Sequence, residues 1–200
     1  MGYRIEHDSL GEVRVPDDVY WGPQTQRSYE NFKVGTERIP IEAVHALVLL
    51  KKAAAQVNFN AGKLTGEKRD AITAACDRIL AGGLDDQFPL CTFQTGSGTQ
   101  SNMNANEVIA HLGNEIAGRQ LLHPNDDVNC SQSSNDTFPT ALSISVVTET
   151  EERLLPAAGR LIETFKKLEK ENEGILKCGR THLQDATPIA FSQEISGWRT

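Results

Sequence analysis

From Pro139 to about Asn172, Ile144, Val147, Leu154, Ala158, Leu161, Phe165 and Leu168 recur at intervals of three, four or seven. That is the spacing of one helix face. A continuous helix of that length runs about 50 Å at 1.5 Å per residue, more than a compact domain of this size usually holds. The pattern therefore predicts a long-helix bundle. Pro156 in its middle predicts a kink or a break, and the charged residues from Glu163 to Glu173 predict a solvated face. Two hundred residues suffice for one domain and part of another.

Directly before this pattern stands Ser131-Gln132-Ser133-Ser134-Asn135-Asp136, leading to Phe138-Pro139 where the helix should begin. Six small hydrogen-bonding side chains make a poor core segment and a poor strand. At a helix start the first backbone N–H groups lack intrahelical partners and the macrodipole is positive, so such side chains can complete a pocket for a carboxylate or phosphate. Ordinary N-capping by Asn135 or Asp136 would explain one of the six. A second stretch of the same chemistry, Gln94-Thr-Gly-Ser-Gly-Thr-Gln-Ser-Asn102, precedes the helical pattern Met103, Val108, Leu112, Ile116 that closes at Gly118. Its glycines allow close backbone approach, but it matches neither the dinucleotide fingerprint nor a P-loop. In the third, Gly179-Arg-Thr-His-Leu-Gln-Asp-Ala-Thr-Pro188, a Thr-His pair sits in a turn context and Pro188 opens a helix, Ile189 to Trp198. That helix is cut by the chain end, which suggests a fragment. Among the five histidines His182 has the best claim to chemistry: it lies off any apolar face, beside a hydroxyl and an arginine, and imidazole titrates nearest neutral pH.

The remaining chain frames these stretches. Residues 5–16 alternate weakly around Ser9-Leu10-Gly11, predicting a two-stranded hairpin, and Tyr20 to Ser28 reads as a loop with aromatic anchors. Ile41, Val44, Val48 and Ala55, flanked by Leu47, Leu50, Ala54 and Val57, predict a helix buried on a broad face, with His45 a packed or rim residue. Thr65 caps a further helix carrying Ile72, Ala75, Cys76, Ile79 and Leu80, ended by Gly82-Gly83, and Asp85 to Pro89 is a turn.

A net charge of -7 with scattered Lys and Arg offers no basic stripe for nucleic acid and no basic amphipathic helix for a membrane surface. The longest apolar run, Ala46 to Leu50, is far short of a membrane span, and the N-terminus has neither an apolar signal region nor a myristoylation pattern. Cys76, Cys91, Cys130 and Cys178 are widely separated, as in a cytosolic protein with reduced thiols. Cys178 with His182, or His123 with Cys130, match no usual structural zinc spacing, and no metal is expected.

Three donor-rich stretches at helix entrances would meet if those helices packed side by side, an arrangement for holding a small polyanion. Gln94 to Asn104, His123-Pro-Asn-Asp-Asp-Val-Asn129 with Ser131 to Asp136, Gly179 to Pro188, and the opening Pro16 to Ser28 together closely resemble class II fumarate hydratase of the fumarase/aspartase superfamily. The resemblance covers nearly the whole chain. It implies a mainly α fold: a helical N-terminal domain with a short β-hairpin near the N-terminus (1–136), then the start of a central long-helix bundle (137–200) that assembles into a homotetramer. It implies reversible hydration of fumarate to L-malate in the tricarboxylic acid cycle, without cofactor, in sites built from several subunits. Carried over by motif, Ser97, Gly98, Thr99, Ser133, Ser134, Asn135 and Thr181 hold the substrate carboxylates, and His182 is the acid/base or water-orienting residue. His123, Pro124, Asn125 and Asp126 correspond to a second dicarboxylate site.

Two departures stand out. Gln120 occupies a position where many relatives place an arginine, in a short loop between Gly118 and His123. No Gly-Ser-Ser-x-Met-Pro-x-Lys-x-Asn-Pro motif occurs in these residues. In the family that loop carries the serine favoured as carbon-proton base, with a lysine and an asparagine that grip substrate, so these 200 residues alone are expected to be inactive. The nearest rival is aspartate ammonia-lyase, whose relatives typically show Thr-Gln where this chain has Thr181-His182. A non-catalytic helical oligomerisation module would explain the long helix but not the donor-rich loops.

Overall fold

The computed structural model describes residues 2–200, so Met1, part of the N-terminal stretch tested above for a leader, lies outside it. Contacts divide the chain into a first unit through Val146 and a second, Val147–Thr200.

The first unit opens on the expected hairpin, β1 (Tyr3–Asp8) against β2 (Gly11–Pro16), antiparallel with Asp8 opposite Gly11. Helices α1 (Pro23–Asn31), α2 (Ile41–Asn60), α3 (Gly66–Leu80) and α4 (Thr99–Ala117) follow. The helix α3 packs against both α2 and α4, and α1 lies on α4. Their shared core is Val44, Leu47 and Val48 from α2, Ile72, Ala75, Cys76 and Ile79 from α3, and Ala105, Val108, Ile109 and Leu112 from α4. Thr65 caps α3 as its sequence predicts, its hydroxyl accepting from Lys68 N at 3.3 Å. His45 is a rim residue, with Nε2 3.1 Å from Asp85 Oδ1. Val57 is 64% exposed rather than packed beside the buried face of α2.

The segment read as a loop over Tyr20 to Ser28 is largely helical, because α1 begins at Pro23. Its start is fixed from far away. The buried carboxylate of Glu107 in α4 accepts from the backbone N–H groups of Gly22, Gln24 and Thr25 (2.8–3.0 Å) and from Thr25 Oγ1 at 2.5 Å. A residue more than 80 positions distant thus satisfies the orphan amides of a short helix with poor intrinsic propensity. Burial pushes the Glu107 pKa up, and the four donors pull it back.

The helix α5 (Ser134–Glu149) starts earlier than the Phe138-Pro139 signal predicts, with Pro139 inside it. Ser133 ends the loop: its hydroxyl accepts from Asn135 N at 3.3 Å and its carbonyl from Thr137 N at 2.9 Å. A serine in that role outweighs the proline, which stands in the second turn of α5 and forgoes the bond its N–H would have given to Asn135 O. Residues 134–171 are helical throughout, and Pro156 breaks nothing. A π-helical turn at Thr150–Leu154 precedes it, so the α-helical bonding pattern is interrupted just before the proline, which stands at the second position of α6 (Leu155–Glu171).

In the second unit an unexpected hairpin pairs β3 (Leu176–Thr181) with β4 (Gln184–Ala190) antiparallel. Pro188 lies in β4, opposite Cys178, and does not open a helix; α7 begins at Phe191 and runs to Arg199. A two-stranded ribbon is all edge, which is where a strand tolerates proline. The helix α7 packs on α6 through Phe165 and Trp198, ring centroids 6.4 Å apart, and through Arg199 Nε donating to Glu169 Oε1. Ile195 is the one buried residue of 147–200, while Leu154, Leu155, Leu161 and Ile162 of the long helix are exposed. No helix among the described residues is long and apolar enough to cross a membrane.

Candidate active site

Within the first unit two of the three donor-rich stretches meet. Ser97 Oγ lies 2.9 Å from Thr99 Oγ1, and Thr99 Oγ1 lies 2.9 Å from Ser134 Oγ, so a chain of hydroxyls joins the N-terminus of α4 to that of α5. Ser97 and Thr99 are exposed and Ser134 partly so. Gly98 makes the approach possible. It is the N-cap of α4 in the left-handed region (φ +71°), and a Cβ there would stand 2.2 Å from Phe138 Cγ in α5. A glycine N-cap supplies no side-chain acceptor, so the first amides of α4 are left for another acceptor. Two positive helix ends and three hydroxyls converging on one patch suit a carboxylate. Ser133 is occupied as the cap of α5, and Asn135 is exposed beside it.

Beneath the patch lies a polar layer that the motifs alone do not reveal. Lys51 of α2 is fully buried, and its Nζ donates to Asn129 Oδ1 at 2.9 Å and to Gln132 Oε1 at 2.8 Å. Asn102 Nδ2 donates to the same Asn129 oxygen at 3.0 Å, and Asn102 Oδ1 accepts from Thr137 Oγ1 at 3.2 Å. Asn58, two turns beyond Lys51, donates to Cys130 O at 2.8 Å. Desolvation pulls the Lys51 pKa from its usual 10.5 to about 7. The signal was present in the sequence: Lys51 and Asn58 interrupt the stripe Val44, Val48, Ala55 at the next helical positions.

His123 to Asp126 form an exposed turn of π-helix (Pro124–Val128). His123 Nδ1 accepts from Asp126 N at 3.2 Å, and the buried Asp127 accepts from His123 N at 2.8 Å while pairing with Lys68 Nζ at 2.6 Å. The preceding short loop is held by Asn114, whose amide nitrogen donates to Gln120 Oε1 (2.8 Å) and Leu122 O and whose oxygen accepts from Leu121 N and Leu122 N.

Thr181 and His182 belong to the second unit. Thr181 ends β3 opposite Gln184, and His182-Leu183 form the two-residue turn with φ +49° and +61°. Such a turn usually takes Asn-Gly, because both positions need positive φ. A histidine and a 96% exposed leucine there are strained and project from the ribbon. Among the described residues no three potential metal ligands come together, and the four cysteines are free thiols.

A family model described as lyase matches residues 11–200. The chain belongs to this lyase family. Fumarate hydratase class II from Campylobacter jejuni subsp. jejuni is 58% identical over 203 aligned residues, covering 99% of this chain and 44% of that protein. The Staphylococcus epidermidis fumarate hydratase class II is 56% identical, covering 100% of this chain and 44% of its own length. Among solved structures, class II fumarase from Schistosoma mansoni superposes with a TM-score of 0.93 at 43% identity, over 98% of this chain and 43% of that one. The fumarate lyase:delta crystallin from Brucella melitensis gives 0.94 at 45% identity, over 98% and 47%. This lyase-family chain therefore spans about 44% of the length of the curated relatives it matches.

Proposed function

We propose that these residues are the N-terminal part of a class II fumarate hydratase, a hydro-lyase that adds water reversibly to fumarate to give L-malate. The observation that carries the reading is the contact between Thr99 and Ser134, which aligns two helix N-termini and their hydroxyls on one patch. The likeness to proteins named fumarate hydratase class II supports it. In the malate-to-fumarate direction a base removes a proton from the carbon next to one carboxylate. The electron pair moves onto that carboxylate, and hydroxide, protonated as it goes, leaves the neighbouring carbon as water. The extra negative charge appears on carboxylate oxygens, so fixed donors lower the barrier, each by about 3 kcal/mol. Ser97, the Gly98–Thr99 entrance, Ser133, Ser134, Asn135 and Thr181 are the proposed donors, and His182 the group that moves a proton or orients the water.

The same reading makes residues 1–136 the N-terminal lyase domain and 137–200 the start of the central bundle. His123 to Asp126 become a second dicarboxylate site. The uncovered leucines of the long helix support a homotetramer in which other copies bury them. A cytoplasmic enzyme of the tricarboxylic acid cycle, needing no metal or organic cofactor and binding neither nucleic acid nor membrane, fits this chemistry. Because the Gly-Ser-Ser-x-Met-Pro loop lies outside these residues, the 200-residue piece by itself should not turn over malate. Absorbance at 240 nm with L-malate and with L-aspartate, on the full-length protein and on the piece, tests the activity and its need for that loop. Malate turnover by the full-length protein alone is the expected result; activity on aspartate alone would replace hydration by ammonia elimination, and turnover by the piece would refute its dependence on the missing loop.

A further inference from the structure

One buried amine holds the loop between the π-helical turn and α5 at two points. Lys51 Nζ donates to Asn129, in the segment after the π-helical turn, and to Gln132, two residues before Ser134. Asn129 in turn receives Asn102, one turn along α4 from Thr99, and Gln132 Nε2 donates to Val128 O at 2.9 Å, closing the loop on itself. Among the described residues no carboxylate hydrogen-bonds this lysine, so its burial is not explained by an ion pair. A lysine taken fully out of water beside two amide oxygens is a costly way to fill a core position that Leu or Met would fill more stably.

We propose that Lys51 is a positioning residue for the dicarboxylate site: by tying Asn129 and Gln132 together, and Asn102 through Asn129, it sets the spacing between the Thr99 and Ser134 hydroxyls. The inference rests on the hydratase reading for the identity of the ligand, but its geometric content is independent of which dicarboxylate binds. Lys51 touches no position where substrate would lie, so it acts through the donors. Its loss should let the two helix entrances drift apart, and a displacement of well under 1 Å is enough to weaken a carboxylate held by several hydroxyls at once.

The test uses the full-length protein with fumarate and L-malate, followed at 240 nm. Lys51→Met keeps the volume and removes the donors. The expected result is a KM raised about tenfold and a kcat lowered as well, since the displaced hydroxyls both hold the bound carboxylate and stabilise the charge that grows on it. In a Ser134→Ala background, where one end of the spacing is already lost, the same substitution should change KM by less than about threefold. A lowered melting temperature with KM unchanged, or a KM effect that multiplies in full with Ser134→Ala, would overturn the proposal and leave Lys51 a fold residue. If Lys51→Met does not fold, Gln132→Met removes one acceptor and decides the matter by the same two criteria. Failure of the unsubstituted protein on malate would sink the hydratase reading; if it instead consumes L-aspartate, the same variants on that substrate still test Lys51.

Discussion

Replacing Gly98 by alanine probes the closest backbone approach in the candidate site. The added Cβ meets Phe138 Cγ at 2.2 Å, Cδ1 at 2.3 Å and Cβ at 2.8 Å, all near the α5 backbone, so rotation of the ring alone does not relieve the overlap. Holding alanine at φ +71° costs about 1 to 2 kcal/mol, and overpacking against a helix-anchored side chain about 1 to 3 kcal/mol more. Gly98→Ala should therefore destabilise the protein by about 2 to 5 kcal/mol, measured by urea unfolding with linear extrapolation. Phe138→Ala removes the ring atoms but leaves Phe138 Cβ at 2.8 Å, so in that background the glycine substitution should cost less than in the parent while staying above the backbone part of about 1 to 2 kcal/mol. A cost below about 1 kcal/mol in the parent, or an equal cost in both backgrounds, would refute the claim that α4 and α5 are packed against each other at this glycine.

Glu107→Ala should cost about 3 to 5 kcal/mol by thermal or chemical unfolding, because it leaves four donors at the start of α1 without their buried acceptor; a loss under about 1 kcal/mol would contradict that capping role. The lowered Lys51 pKa also has a sign that can be measured. Between about 7 and 10.5 the unfolded chain binds a proton that the folded chain does not, so stability rises with pH, and the group's contribution grows by about 2 kcal/mol from pH 7 to pH 9. Lys51→Met should remove that slope, and identical pH profiles for the two proteins would show that the amine is not desolvated. Replacing His182-Leu183 by Asn-Gly supplies the residues a tight hairpin turn prefers, and should stabilise the second unit by about 1 kcal/mol while abolishing turnover; a loss of stability would argue against strain at this turn, and retained turnover against the role proposed for His182.

The helices of the first unit were legible because their apolar stripes are long and regular, and Thr65 and Gly118 mark ends by purely local chemistry. What local reading missed depends on distant residues. The start of α1 is written in Glu107, and no pattern in Pro23 to Asn31 announces it. Pro188 points to a helix when judged by its neighbours, yet its pairing partner Cys178 puts it in a strand. At the candidate site the hydroxyl-bearing residues were visible as polar runs before helices, since such runs have little other use. Their support was not: Lys51 hides in an apolar stripe, where the gap between Val48 and Ala55 reads as a minor irregularity until Asn129 and Gln132 are found against it.

Hydroxyls at two adjoining helix entrances are proposed to grip a small dicarboxylate. A crystal structure of the full-length protein with fumarate or L-malate bound tests it most directly. A carboxylate oxygen should lie within about 3.2 Å of both Thr99 Oγ1 and Ser134 Oγ, with Thr181 and His182 of one copy or another against the same ligand. A dicarboxylate bound elsewhere, with these hydroxyls still bonded only to one another, would contradict it.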